Sequence, residues 1–280
     1  MTEKPDIKNK LLTWLDTQGY PLEMRVARAF QREGFRVIQS DYYTDNDTGD
    51  SREIDVLASI QASYKNFFIR ITFVVECKLS KDKPWILFSS EECALGDSAR
   101  VAQRAASSLG RRVLHDLARD VEVQTLPVFT IPEMPAYGLT QAFNSGHDVC
   151  YGAATAVADA AAAITAAASK RQYGPRPLEV VEFVFPVIVT EARLFSANLE
   201  PDSSIAMKEV QSSVLLWRNP VVGPPHTTIH VVSIGGLERF VSEAMVSAQS
   251  LRKMLLGSKC NVIEGAWERD KLMREVRAKV

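Results

Sequence analysis

Arg52-Glu-Ile-Asp-Val-Leu-Ala-Ser59, and after a short connection Phe67-Phe-Ile-Arg-Ile-Thr-Phe-Val-Val-Glu-Cys-Lys78, is the stretch on which the fold turns. Both runs are rich in β-branched and aromatic residues, and the second stays largely apolar until it ends in Glu76-Cys77-Lys78. That pattern predicts two buried strands, the second exposing charge only at its tip. If they form an antiparallel hairpin turning at Lys65-Asn66, Asp55 lies opposite Glu76 and Glu53 opposite Lys78. Side chains alternate along a strand, so Glu53 and Asp55 are expected on one face, with Glu76 and Lys78 beside them. Facing carboxylates repel each other unless a cation sits between them. The patch therefore reads as a metal site. The plainer reading is a surface hairpin with a Glu53–Lys78 ion pair worth roughly 0.2–1 kcal/mol. Asp6-Ile7-Lys8 repeats the acid-x-Lys spacing in a polar segment with no strand character, which shows that the tripeptide alone says little.

At Asp55, Glu76 and Lys78 the sequence resembles the PD-(D/E)XK superfamily of restriction-endonuclease-like nucleases, with Ile54 in place of the family's proline. The resemblance implies a mixed β-sheet flanked by helices, and Mg²⁺ (with Mn²⁺ as substitute) held at Asp55, Glu76 and Cys77. It also implies that Lys78 positions or polarises the attacking water. Many members carry a glutamate on the first helix that points into the site, which implies the same for Glu23. The alternative for Glu23 is a first-turn carboxylate favoured by the helix dipole. The residue types suit the chemistry. A phosphodiester repels hydroxide, a hard cation on carboxylates screens that charge, and a lysine stabilises charge building on the phosphoryl oxygens. The implied activity is a metal-dependent endonuclease cutting DNA, in phage defence, restriction or repair, with RNA as an alternative substrate. A non-cleaving module that binds nucleic acid or a protein partner on a nuclease fold is the competing reading.

With 280 residues, 46% hydrophobic and 24% charged, the chain has an ordinary globular composition. A net charge of -1 excludes a basic scaffold coating nucleic acid, so any such contact must be local. Cys77, Cys93, Cys150 and Cys260 are scattered, without zinc-ligand spacing, and read as free thiols of a cytoplasmic protein. The N-terminus lacks the apolar run of a signal peptide, and no segment is read as crossing a bilayer.

Residues 6–17 and 22–33 predict two helices, and 35–43 a strand. Beyond the motif, Lys81 and Lys83 are candidates for holding phosphates, and Trp85 for stacking on a base or packing in the core. Residues 97–117 read as one helix decorated with arginines. Its Arg104 is a candidate nucleic-acid contact, against the reading of a solvated face. Ala153 to Ser169 predicts a helix lying close on the sheet, because alanine favours helix and permits close approach. Residues 180–194 read as a central strand, with Pro186 hinting at a bend or edge. Strands follow at 214–218 and 227–234, the latter after His226, and a helix runs to Leu256. A charged helix from Gly265 onward, with a narrow stripe of Trp267, Leu272 and Val276, is expected to dock on a second copy or a partner. The whole is read as one α/β domain over 1–280. Its motif-bearing half is 1–88, a helical and loop segment inserted after the hairpin is 89–175, and the later strands and C-terminal helices are 176–280.

Overall fold

A computed structural model describes residues 6–45, 48–80, 82–144, 146, 148–170, 179–218 and 227–277. The chain opens with helices α1 (Ile7–Leu15) and α2 (Tyr20–Arg32), then a meander of β1 (Arg36–Thr44), β2 (Ser51–Tyr64) and β3 (Phe67–Lys78). Strand β4 (Trp85–Ser89), helix α3 (Asp97–Ala102) and the two-residue β5 (Ala105–Ala106) come next. They are followed by α4 (Ser108–Leu117), α5 (Val121–Gln124), β6 (Ala136–Gln141) and α6 (Val149–Lys170). The chain closes with β7 (Glu179–Thr190), β8 (Leu194–Leu199), β9 (Ile205–Val210), β10 (Ser212–Trp217), β11 (Thr227–Ser233), α7 (Leu237–Leu256) and α8 (Cys260–Arg277). The architecture is mixed α/β, one large mixed sheet with helices on its faces. Its order is β1-β2-β3-β7-β11-β10-β6-β4-β8-β9, with β5 paired to β7.

Two cores divide the helices between the faces of the sheet. Leu22, Val26 and Phe30 of α2, Val113 of α4, Phe240 of α7 and Ile263 of α8 pack with Phe73, Val75 and Phe185. The alanines of α6 pack on the other face, against Val74, Trp85, Ala136, Ile188, Leu194, Leu215 and Ile229. Those residues come from seven different strands, because the sheet folds back on itself. Only three residues link β7 to β8, which pairs with β4 at the far end of the strand order. A helix enclosed this way must be slender, which explains Ala153, Ala154 and Ala161 at full burial. Helix α6 is long and apolar enough by composition to cross a membrane, contrary to the sequence reading that no segment was. Its small side chains are committed to the sheet instead.

Two further expectations change. The helix expected over 97–117 is two helices, broken where Ala105 and Ala106 pair with Val184 and Phe183 of β7. Pro186 lies mid-strand in β7 and pairs with Val74 of β3, just before the ladder to β11 starts at Val187. Helix α8 starts at Cys260, and part of its apolar face packs within the chain. Ile263 and Ala266 are fully buried, and the Trp267 ring meets Phe67 edge-on with centroids 6.2 Å apart. Leu272 remains 62% exposed. His226 lies outside the described residues.

Candidate metal centre at the sheet end

The hairpin turns where the sequence reading placed it. Tyr64 pairs with Phe67 and Val56 with Val75, so partner numbers sum to one constant, and one step further sets Asp55 against Glu76. There the backbone ladder gives way to a side chain: the Cys77 N–H donates to Asp55 Oδ2 at 2.6 Å. The opposite edge of β2 is also irregular at this point. Its register with β1 passes from Gln39↔Val56 to Asp41↔Ile54, and between them Ser40 takes a left-handed φ of 52°. Alternation slips as a result. Ile54 packs with Tyr43 and Leu57, whereas Val56 faces the opposite core. The expected single face for Glu53 and Asp55 is therefore replaced by a cluster at the strand tips.

That cluster contains four carboxylates and one ammonium: Glu23, Glu53, Asp55 and Glu76 around Lys78. Lys78 Nζ pairs with Glu76 Oε1 at 2.6 Å. Burial pushes the Glu23 carboxyl up to about 7, and the charges of Asp55, Glu53 and Glu76 push the same way. Burial also raises Asp55, against the lowering effects of the Cys77 N–H and Lys78. Glu76 is raised by burial and by Asp55. The Lys78 ammonium is opposed by burial, yet ends above its ordinary value because Glu76 and Asp55 hold the proton. A structural cluster would balance its charges; here they remain in excess.

Neighbouring elements fix the cluster in place. Strands β3 and β7 run parallel, so their C-terminal ends lie side by side. Lys78 pairs with Thr190, whose hydroxyl donates to the Lys78 carbonyl at 2.9 Å. The next residue, Glu191, pairs with Arg25 of α2 and ties the first helix to this end of the sheet. On the α6 side Tyr43 has a buried hydroxyl, raised to about 12 by burial and by Asp159. Arg25, Glu191, Tyr43 and Asp159 were not singled out in the sequence. Finding them needed the parallel pairing of β3 with β7, which no local pattern announces.

The remaining candidates separate. Lys83 sits half-buried in the β3–β4 connection, its carbonyl accepting from Ser80 at 3.2 Å. Lys81 lies outside the described residues. Trp85 is wholly buried and does not stack on an external base. Arg104 is 2% exposed, so it is no surface contact for nucleic acid. Its guanidinium donates to the Val128 and Arg100 carbonyls and lies against Phe129 and Phe185. The Cys77 side chain belongs to the α2-side core, and burial holds its thiol well above the ordinary value. Asp6 caps α1, accepting from the Lys8 N–H, which accounts for the stray Asp6-Ile7-Lys8.

Among the described residues, no three His, Cys, Asp or Glu side chains converge into a ready metal cage. The two carboxylates of Asp55 and Glu76, both shifted toward the protonated form by burial, fit a cation that uses one or two protein oxygens and keeps its water. Mg²⁺ and Mn²⁺ have that habit; a structural zinc does not. No protein-family model, curated protein or solved structure matches the chain.

Proposed function

We propose that the chain is a metal-dependent endonuclease hydrolysing phosphodiester bonds in DNA, on a sheet of the restriction-endonuclease type. One observation carries this reading: Asp55, Glu76 and Lys78 meet at one strand end, with Glu23 brought in from α2, in a cluster whose negative charge is not neutralised. Mg²⁺ bound there would supply Lewis-acid stabilisation of the phosphate and a more acidic water. Asp55 and Glu76 would hold the ion, and the Cys77 N–H fixes the orientation of Asp55. Lys78 presents an ammonium to the charge that builds on the phosphoryl oxygens. Glu23, poised near neutrality, is able to take or return a proton at physiological pH.

The test incubates plasmid, linear duplex, single-stranded DNA and RNA with the purified chain and Mg²⁺ or Mn²⁺. Asp55→Ala, Glu76→Ala and Lys78→Ala are run in parallel. Cleavage lost in all three variants and in chelator supports the reading, and the substrates separate DNA from RNA. Binding of DNA in Mg²⁺ without cleavage by the wild type would favour the non-cleaving module.

A further inference from the structure

At the opposite end of β7 the sheet is open on one side among the described residues. Strand β11 borders β7 only along Val187–Thr190, and β5 only along Phe183 and Val184. Below them α4 and α6, packed on opposite faces, come together: the Ser108 N–H donates to Ser169 Oγ at 2.9 Å. Ser107, just before α4, is anchored to the Val180 carbonyl and the Glu182 N–H. A cleft of about 840 Å³ opens at this junction, lined by α4, the C-terminal end of α6 and Arg269 of α8.

The lining is basic around an apolar floor. Ala162 and Ala166 of α6 supply the floor. Arg112 and Arg269 enter it already paired across the helices, with Asp270 and Asp116. Arg111 and Lys170 are exposed and, among the described residues, carry no ion pair. His115 stands one turn beyond Arg111 on the same face of α4. Two cations with no ion pair among the described residues, one on each wall, thus flank the methyl groups of Ala162 and Ala166, with Thr165 between them in sequence. Guanidinium groups favour phosphate oxygens in bidentate geometry, and an apolar floor suits a planar base. The volume falls in the range of small-molecule sites.

We propose that this cleft binds a free nucleotide of one or two units. Its phosphates would lie between Arg111 and Lys170, and its base over Ala162 and Ala166. The site is separate from the carboxylate cluster. The strand from Val180 to Thr190 spans roughly 30 Å, far beyond the reach of a side chain. It does not depend on the nuclease reading.

Calorimetric titration of the full chain with a 5′-phosphorylated dinucleotide tests it, beside inorganic phosphate and a long single-stranded oligonucleotide. The dinucleotide is expected to bind once per chain, more tightly than phosphate, and equally well to Asp55→Ala and in chelator. Each of Arg111→Ala and Lys170→Ala should weaken it at least about tenfold by removing a charged hydrogen-bond donor. Both side chains are exposed, so unchanged melting temperatures will confirm that the variants fold. The proposal is overturned by no dinucleotide binding, by affinity unchanged in both variants, or by binding of the long oligonucleotide alone.

Discussion

Strands β3 and β7 carry charge at two places, one inside the sheet and one at its end. Inside, Arg70 and Glu182 are cross-strand neighbours in adjacent register. Arg70 Nε and Nη2 reach the two Glu182 oxygens at 2.7 and 2.6 Å, and the Thr72 hydroxyl adds a third bond at 2.8 Å. The carboxylate is fully buried and fully answered. At the end, Lys78 pairs with Glu76 beside Asp55, and Glu23, Asp55 and Glu76 are all pushed toward the protonated form. Buried charge is normally tolerated only when paired and hydrogen-bonded. The same two strands meet that requirement in full at Glu182, whereas at the strand end Glu76 has Lys78 but also faces the charges of Asp55 and Glu53. The excess charge does not come from poor packing, since the hairpin beside the cluster is regular up to Val56.

The comparison breaks most visibly on stability. Glu182→Ala leaves Arg70 buried and alone, and is expected to lose about 3–5 kcal/mol in urea unfolding. A double replacement, Arg70→Met with Glu182→Leu, should recover most of that loss, because apolar pairs replace buried ion pairs well. Arg104→Ala should lose about 2–5 kcal/mol through packing against Phe129 and Phe185. Its DNA affinity should be unchanged, since Arg104 is enclosed.

Carboxylates at the strand end should behave in the opposite way. Glu76→Gln or Glu23→Gln is expected to raise the metal-free melting temperature by about 2–4 °C, the response to ~1 kcal/mol in a chain of this size. A loss of stability on either substitution would return the cluster to the plain ion-pair reading. The pH dependence follows from Glu23. Its folded pKa of about 7 lies above the ordinary 4.5, so the folded chain binds the extra proton between those values. Metal-free stability should therefore fall as pH rises through that window, and Glu23→Gln should flatten the fall. A profile identical in wild type and Glu23→Gln would mean that Glu23 does not feel the cluster.

The features legible in the sequence were those set by local pattern. The runs at Phe67–Lys78 and Glu179–Thr190 have strand composition, the turn at Lys65-Asn66 fixes the hairpin register, and the alanine tract announces a close-packed helix. Register in turn placed Asp55 against Glu76. The features that escaped depend on contacts distant in sequence. Arg104 follows a helical spacing that looks solvated, yet β5 pairs with β7 just after it and carries it into the core. Strand β9, with its exposed Ile205 and Met207, has too weak an alternation to stand out. The contact of Trp267 with Phe67 joins residues 200 apart in the chain, which no local pattern announces. The slip at Asp55 depends on Ser40 in the neighbouring strand, fifteen residues earlier.

One measurement bears most directly on the carboxylate cluster: calorimetric titration of Mn²⁺ into wild type and Asp55→Ala, with plasmid cleavage read from the same samples. The wild type should bind the ion and cut, and Asp55→Ala should do neither, because a hard oxygen ligand is gone. Lys78→Ala should bind Mn²⁺ at least as well as the wild type and fail to cut, since a repelling ammonium has been removed along with the group that stabilises the phosphoryl charge. Equal Mn²⁺ binding by wild type and Asp55→Ala, or cleavage that survives in Asp55→Ala, would contradict the account.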